Sequence, residues 1–584
     1  MILKTAFKFD TTTENNIQSW LQGDYDDEIK DTIHAMLNNA PEKLVDAFYT
    51  YLSFGTGGMR GLMGIGTNRM NVYTIRAATQ GLANYILKQP VPHGQKLHRV
   101  MIGFDSRTNS TEFAQEAAKV LAANGIEAHI FKVLHPTPLV SFGCRYRNCT
   151  AAIMITASHN PSSYNGYKVY WNDGAQVLPP HDEGIIAEVQ KVTSPDQVKK
   201  TDSVEHPLIL EEGADIDIAY LAAITPLQLY PETNRNHGSS LNIIYSPLHG
   251  TGITTVPETL KRWGFTHVEL VKEQALPNGL FPTVQSPNPE EPAAMQLGVA
   301  KLLEQKADIF LATDPDADRV GLAVNHRGQA KLLTGNQIAC ICLYHVLEAL
   351  HEQKRIPSNA ACVKTLPTTE LFTAICQSYN VACFDVLTGF KYIAQKIREW
   401  ESDPQQGYQF IFGGEDSYGY LLGTHARDKD AAIICALIAE AALHAKRQKK
   451  TLIDMLDDIY EKYGPYEDEM LSIGFPETKE GREKMINAMG KLRSNPPTTL
   501  HGHKVLVLED YTTGKKKTFA SGNEEILTLP KSDVLIFRLE NNGKLIVRPS
   551  GTEPKIKIYV SLKDVPKQEV ESLLKEFETL VRKE

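Results

Sequence analysis

The sequence predicts three similar mixed α/β domains followed by a smaller C-terminal α+β domain. Three observations carry that reading. Short apolar runs alternate with helix-like segments and glycines over most of the chain, the pattern of repeated βα units. A length of 584 residues exceeds one ordinary domain. The C-terminal stretch changes character, with a hairpin signal and one amphipathic helix in place of the βα repeat.

The elements follow in order. Residues 1–40 read as an N-terminal extension of helical character. Domain I, 41–200, shows a strand at 100–105, a helix at 111–123 and then Gly125. A polar stretch at 194–205 marks its end. Domain II, 210–325, starts on a strand at 242–245 and ends in an aspartate-rich loop. Domain III, 326–450, opens with a long apolar helix after Thr334-Gly335. The charged 446–450 and the proline-rich 494–497 flank a connector. Domain IV, 495–584, has apolar runs at 533–539 and 544–547 around Asn542-Gly543, then a strand at 556–560. Its final helix places Val570, Leu573, Leu574, Phe577, Leu580 and Val581 on one face.

Four strand-end loops carry chemistry. In the first, Asp314, Asp316 and Asp318 follow the apolar run 309–312. Two unit charges 4 Å apart repel by about 4 kcal/mol at an effective dielectric of 20, and a divalent cation reverses the sign. Carboxylates suit Mg²⁺ or Ca²⁺ rather than a thiophilic metal. A calcium loop of the EF-hand type needs Gly at its sixth position and Glu at its twelfth, where Arg319 and Asn325 stand. A solvated acidic turn is the plainer alternative, and Arg319 beside the acids speaks against it.

The second loop is Thr156-Ala157-Ser158-His159-Asn160-Pro161, after the apolar 151–155. Ser158 at a strand end faces the crevice where open α/β sheets bind ligands, although these residues also favour an ordinary turn. The G-x-S-x-G elbow is absent. Lys168 lies in the aromatic stretch 166–170. It either snorkels to solvent or is desolvated, with a lowered pKa fit for proton transfer. In the third loop, Gly413-Gly414-Glu415-Asp416-Ser417-Tyr418-Gly419, the glycines permit close backbone approach to a ligand. Glu415 and Ser417 can pair with sugar hydroxyls. The fourth, Arg548-Pro549-Ser550-Gly551-Thr552-Glu553-Pro554, offers an arginine fork, hydroxyls and free amides for an anion. It is no Walker motif.

These four segments, in this order, resemble the α-D-phosphohexomutase family, and its phosphoglucomutase branch most, over roughly residues 40–580. The resemblance implies a heart-shaped, four-domain enzyme that interconverts glucose 1-phosphate and glucose 6-phosphate through a phosphoserine. It implies Ser158 as that serine and, with Asp314, Asp316 and Asp318, as ligand of one Mg²⁺ per chain. Glucose 1,6-bisphosphate is the implied intermediate and activator. His159, Lys168 and Arg60 fall at catalytic positions. Arg319, Lys391, Glu415, Ser417, Arg548, Ser550, Gly551 and Thr552 fall at substrate-binding ones. A turning intermediate predicts a hydroxyl-reading loop that accepts two orientations and an Arg548 domain that hinges.

Composition sets bounds. The net charge of −9 argues against nucleic acid and anionic membranes. The resemblance implies small sugar phosphates as partners, and the chain is expected to be a monomer or weak dimer. Eight cysteines without C-x-x-C, including Cys362 and Cys435 in apolar runs, read as buried free thiols of a cytoplasmic protein. The N-terminus lacks a signal-peptide core, and no apolar stretch is long enough to span a bilayer. Phosphopentomutase and phosphomannomutase are the alternatives within the class. A non-catalytic sugar-phosphate-binding regulator, which would need no donor serine, is the alternative outside it. A metal-dependent phosphatase would release phosphate rather than isomerise.

Overall fold

The computed structural model describes residues 7–54, 57–403, 405, 407–476, 479–549 and 555–582. The chain divides into two compact units. The first takes Met1–Leu333, Ala394–Asp403 and Tyr418–Thr451, and the second Thr334–Ile393, Pro404–Ser417 and Leu452–Glu584.

Two sheets organise the first unit. One has six strands in the order Gly58–Leu62, Tyr164–Trp171, Ala151–Ile155, Arg99–Phe104, Glu127–Phe131 and Ile209–Glu212. The first two pairings are antiparallel and the rest parallel. All five residues of Ala151–Ile155 are buried. Ala151, Ile153 and Ile155 enter one apolar core, while Ala152 and Met154 enter another across the sheet. Period-two alternation thus feeds two cores, which is why this strand reads as a continuous apolar run. The helix Ser110–Ala123 covers one face through Phe113, Ala114, Ala117, Ala118 and Leu121.

The second sheet runs Gln329–Leu332, Val320–His326, Ile309–Thr313, Ile243–Ser246, Val268–Leu270. The helix Ala431–Arg447, buried on nearly every face, belongs to this unit. At the N-terminus the extension is helical as expected, and it continues past residue 40. Thr11–Gln22, Asp27–Asn39 and Pro41–Phe48 enclose a small core of Ile17, Trp20, Ile33, Leu44 and Phe48 that closes on Tyr73.

In the second unit, parallel strands Ala382–Val386, Ala360–Thr365 and Gln409–Gly414 lie in that order. The C-terminal sheet is antiparallel, ordered Tyr466–Gly474, Lys555–Lys563, Lys544–Pro549, Leu535–Leu539, His503–Asp510, Lys515–Thr518, Glu524–Ile526. Tyr466–Gly474 falls inside the segment read as a connector. Its nine-residue pairing with Lys555–Lys563 makes it a strand of this sheet instead. The expected hairpin is present, but its left-handed residues are Asn541 (φ 56°) and Asn542 (φ 59°), with Gly543 at φ −71°. Asparagine tolerates that region by bonding locally, so Gly543 is not needed for it. On the last helix, Lys567–Arg582, Val570, Leu573, Leu574, Phe577 and Val581 are buried. Leu580 is not, because it sits at the edge of the apolar stripe, 38 % exposed.

All eight cysteines are free and seven are buried. Among the described residues no helix is long and apolar enough to cross a membrane.

Candidate functional site

The site in the first unit starts from two adjoining strand ends. Ala151–Ile155 releases the chain at Thr156, and Ser158 takes a left-handed conformation, φ 53°. Such a backbone is costly for a non-glycine residue and persists where its surroundings hold it. Here the hold is explicit. The Ser158 N–H donates to Thr156 Oγ1 at 2.8 Å. Arg107 reaches in from the neighbouring strand end and donates to the carbonyls of Ser158 (2.6 Å), Asn160 (2.5 Å), Pro161 (2.8 Å) and Tyr164 (3.1 Å). Its Nε lies 3.2 Å from Asp105, both side chains fully enclosed. Sequence reasoning missed Arg107, because nothing in Asp105-Ser106-Arg107 announces four carbonyl acceptors elsewhere in the chain. Breaking a buried pair strands its partner charge, at about 3–5 kcal/mol. Arg107→Met is therefore expected to lower the melting temperature by several degrees and to leave Ser158 poorly phosphorylated. Intact-mass spectrometry and thermal unfolding check both.

Ile309–Thr313 and Val320–His326 form an antiparallel pair, Thr313 opposite Val320, so the aspartate loop is a tight return between two buried strands. Ala317 is left-handed at its tip, φ 49°. Asp314, Asp316 and Asp318 are at most 1 % exposed, and they offer oxygens within 4.8 Å of one another. Asp314 Oδ1 accepts from the N–H groups of Asp318 (3.1 Å) and Arg319 (3.0 Å), while its Oδ2 accepts from Ser158 Oγ at 2.9 Å. That last bond joins residues 156 positions apart.

Cations partly offset the cage. Lys168 Nζ donates to Asp316 Oδ2 at 2.7 Å and lies 3.3 Å from Asp318 Oδ2. Thr137 Oγ1 adds a bond to Asp316 at 2.9 Å. Lys429 Nζ lies 3.2 Å from Asp318 and 3.3 Å from Asp428. Burial alone would lower the Lys168 pKa, as a desolvated proton-transfer lysine requires, but Asp316 and Asp318 outweigh it and hold the pKa above the usual lysine value. The expected lowering is absent because the lysine is desolvated together with its counter-ions. Burial raises Asp314, and the neighbouring Asp316 and Asp318 raise it further. Burial would also raise Asp316, but Lys168 pulls it well below the ordinary range.

Among the described residues, three carboxylates thus face two ammonium groups, and Asp316 Oδ1 and Asp318 Oδ1 are buried with no hydrogen-bond partner. Orphaned buried oxygens on acids are rare, and a bound cation is one of their few explanations. The donor set, three carboxylates beside a hydroxyl, fits a hard divalent cation.

The other expected residues divide between the units. His159 Nδ1 is 3.2 Å from Ser158 Oγ. Burial, then Arg319 and Arg60, press its pKa well down, so the imidazole is neutral. Arg60, opposite Gly166 on the edge strand, donates from Nη1 to Asn160 Oδ1 at 3.0 Å. Arg319 pairs with Glu290. In the second unit Glu415 is buried, and its Oε1 accepts from the N–H of Gly389 at 3.0 Å, where φ is 118°. Lys391 Nζ lies 5.2 Å over the Tyr392 ring, Ser417 is half-buried in a turn and Arg548 is half-buried near its strand's end. Ser550, Gly551 and Thr552 lie outside the described residues. Gly419 packs against a lysine. A Cβ there would stand 1.9 Å from Lys429 Cδ, so its bareness lets that lysine reach Asp318.

Fold and site together define a class: multidomain α/β proteins that set a strand-end serine against a carboxylate cage. Models of the phosphoglucomutase/phosphomannomutase family match most of the chain in four segments, α/β/α domain I at 51–196, II at 219–328, III at 334–463 and the C-terminal domain at 515–580. The chain belongs to the phosphoglucomutase/phosphomannomutase family, as its four motifs lead one to expect. A phosphoglucomutase of Staphylococcus haemolyticus is 36% identical over 523 residues, covering 88% of this chain and 91% of the relative. One of Staphylococcus aureus is 37% identical over 520 residues, covering 89% and 91%. A solved putative phosphomannomutase from Thermus thermophilus shares the fold, with TM-score 0.67 at 21% identity, covering 91% of this chain and 100% of that one.

Proposed function

We infer that this chain is a phosphoglucomutase, which interconverts glucose 1-phosphate and glucose 6-phosphate. The observation that carries the reading is the 2.9 Å bond from Ser158 Oγ to Asp314, a donor hydroxyl set against the acidic cage. In the first half-reaction the Oγ–P bond of phosphorylated Ser158 breaks and a bond from phosphorus to the C6 oxygen forms, Lys168 in its amine form taking the C6 hydroxyl proton and His159 in its protonated form returning one to Ser158 Oγ, so that the second half begins with a serine hydroxyl, a neutral His159 and an ammonium Lys168. Glucose 1,6-bisphosphate results, and it turns over while bound. Ser158 Oγ then attacks the C1 phosphate, and the C1 oxygen leaves as the sugar hydroxyl. His159, neutral and 3.2 Å from Oγ, is placed to take the Ser158 proton in that step. Lys168, held as an ammonium, is the acid-form partner that returns a proton to the leaving sugar oxygen. Phosphoryl transfer asks the protein mainly for positioning and charge stabilisation.

One Mg²⁺ per chain, held by Ser158, Asp314, Asp316 and Asp318, would draw negative charge off the phosphoryl group. Arg60 and Arg319 border the same loops. Glu415, Ser417 and Lys391 would read the sugar hydroxyls. Arg548, with Ser550, Gly551 and Thr552, would hold the phosphate that is not transferred. Eight free thiols suit a reducing cytoplasm.

A panel of glucose, mannose and ribose 1-phosphates, with and without the matching bisphosphate, tests the reading. The expected result is bisphosphate-dependent isomerisation with the highest kcat/KM for glucose. A preference for another sugar would rename the substrate, and no isomer from any would reject the class. Arg548→Ala is expected to weaken phosphate-ester binding by about 1.5–3 kcal/mol, the range for hydrogen bonds to charged groups. An unchanged KM would take Arg548 out of the site.

A further inference from the structure

The N-terminal helices help to close a cleft that the chemistry above does not use. Its volume is about 320 Å³, at the small end of the range for small-molecule sites. The walls come from the first unit alone: the N-terminal helices, the helix Val72–Ile86 and the stretch 192–200. Neither the residues around Ser158 nor the aspartate cage line it.

Four rings face the cleft, those of Trp20, Tyr25, Tyr51 and Tyr73. Tyr25 stacks on Trp20, with centroids 4.3 Å apart and planes at 18°, and tilts against Tyr73 at 4.7 Å. Arg76 lines the cleft beside them. Its Nε donates to Glu116 Oε2 at 2.5 Å, and its guanidinium lies 5.4 Å over the Tyr73 ring, which fixes the direction of the fork. Trp20 is 3 % exposed. Among the described residues, both Nη groups of Arg76, the indole N–H of Trp20 and the Tyr25 hydroxyl have no hydrogen-bond partner.

Donors that no protein group accepts, gathered on one cleft, call for an acceptor-rich ligand. Lys200 adds a second cation to the lining. A phosphate has the oxygens for that set, and arginine grips it through two parallel bonds. Two acids also line the cleft. Asp26 is engaged, accepting from the Tyr73 hydroxyl at 2.7 Å. Asp24 is exposed and offers an acceptor to a ribose hydroxyl or an exocyclic amine. The rings suit a flat unsaturated body, whose face stacks on aromatic side chains. The volume admits one base and one phosphate rather than a dinucleotide.

We propose that this cleft is a second ligand site, apart from the catalytic one, which binds a nucleoside monophosphate with its base against Tyr25 and Tyr51 and its phosphate on Arg76 and Lys200. It gives the N-terminal extension a function that phosphoryl transfer does not require.

The test titrates the full chain with adenosine 5′-monophosphate by calorimetry, in saturating glucose 6-phosphate so that the catalytic site is filled. One saturable site is expected. Arg76→Met should weaken it about tenfold or more, the loss of a charge-assisted hydrogen bond, and Tyr25→Leu about fivefold or more, the loss of a stacked ring. Mutase turnover without nucleotide should stay at the wild-type value in both variants. Adenosine, which lacks the phosphate, and ribose 5-phosphate, which lacks the base, should each bind about tenfold more weakly or worse. Hydrogen exchange needs no variant and decides the matter if Arg76→Met does not fold: the nucleotide should protect residues 20–26, 72–77 and 192–200. No binding at millimolar nucleotide, binding that glucose 6-phosphate abolishes, or protection confined to the Ser158 loop would overturn the proposal. So would ribose 5-phosphate binding as tightly as the nucleotide. A wild type that fails to isomerise any sugar phosphate but binds the nucleotide as described sinks the mutase reading and leaves this site standing.

Discussion

Ser158→Ala is expected to reduce mutase turnover by at least about a thousandfold while the protein stays folded, because removing a covalent nucleophile leaves only binding and electrostatics. The substitution removes one oxygen and keeps the backbone anchors, since Arg107 bonds the Ser158 carbonyl and Thr156 the N–H. The lost bond to Asp314 is worth about 1.5–3 kcal/mol at most, a hydrogen bond to a charged group. Activity and stability should therefore separate. The purified variant should carry no phosphate by intact mass, and bisphosphate labelled on either phosphate should transfer none to it. Label retained on the protein would move the donor to another residue.

Much of the fold was legible, and the reason is burial on both faces. Ala151–Ile155 and Ile309–Thr313 are buried at every position, so they appear in the sequence as unbroken apolar runs that stop where the chain leaves the sheet. A polar loop after such a run lies at a strand end almost by necessity, which is why Ser158 and the three aspartates could be placed there. Their union was not legible. It depends on pairing distances of 148 residues for Lys168 with Asp316 and 156 for Ser158 with Asp314, which no local pattern encodes. Lys429 was missed for a related reason. Asp428-Lys429-Asp430 looks like a solvated charge run, yet all three are buried, and Asp430 caps the helix that follows. The division into units was hidden too, since Tyr418–Thr451 returns to the first unit after the chain has already built part of the second. Resemblance supplied what pattern could not, by naming three aspartates beside Ser158, of which Asp314 lies at hydrogen-bond distance.

Asp314→Asn is expected to shift stability in opposite directions according to whether a divalent cation is present. Without it, three carboxylates lie within 4.8 Å of one another in a fully buried loop. At that range each pair of charges costs about 3–4 kcal/mol at an effective dielectric of 20. Lys168 offsets Asp316, and Lys168 with Lys429 offsets Asp318. Asp314 is the member whose charge burial and its neighbours most disfavour. An amide there keeps the acceptor for the N–H groups of Asp318 and Arg319 and removes the repulsion, so in chelator the variant should melt above the wild type. With Mg²⁺ at a hundredfold excess over Kd, the wild type should gain about 2.7 kcal/mol, while a cage with one charge fewer should gain far less. Turnover should fall by orders of magnitude, as for loss of a ligand that supports charge stabilisation. Thermal unfolding of both proteins in chelator and in Mg²⁺ reads the crossing directly. If the variant melts below the wild type under both conditions, with the same Mg²⁺ shift, then Asp314 is a structural carboxylate and the cage is not a cation site.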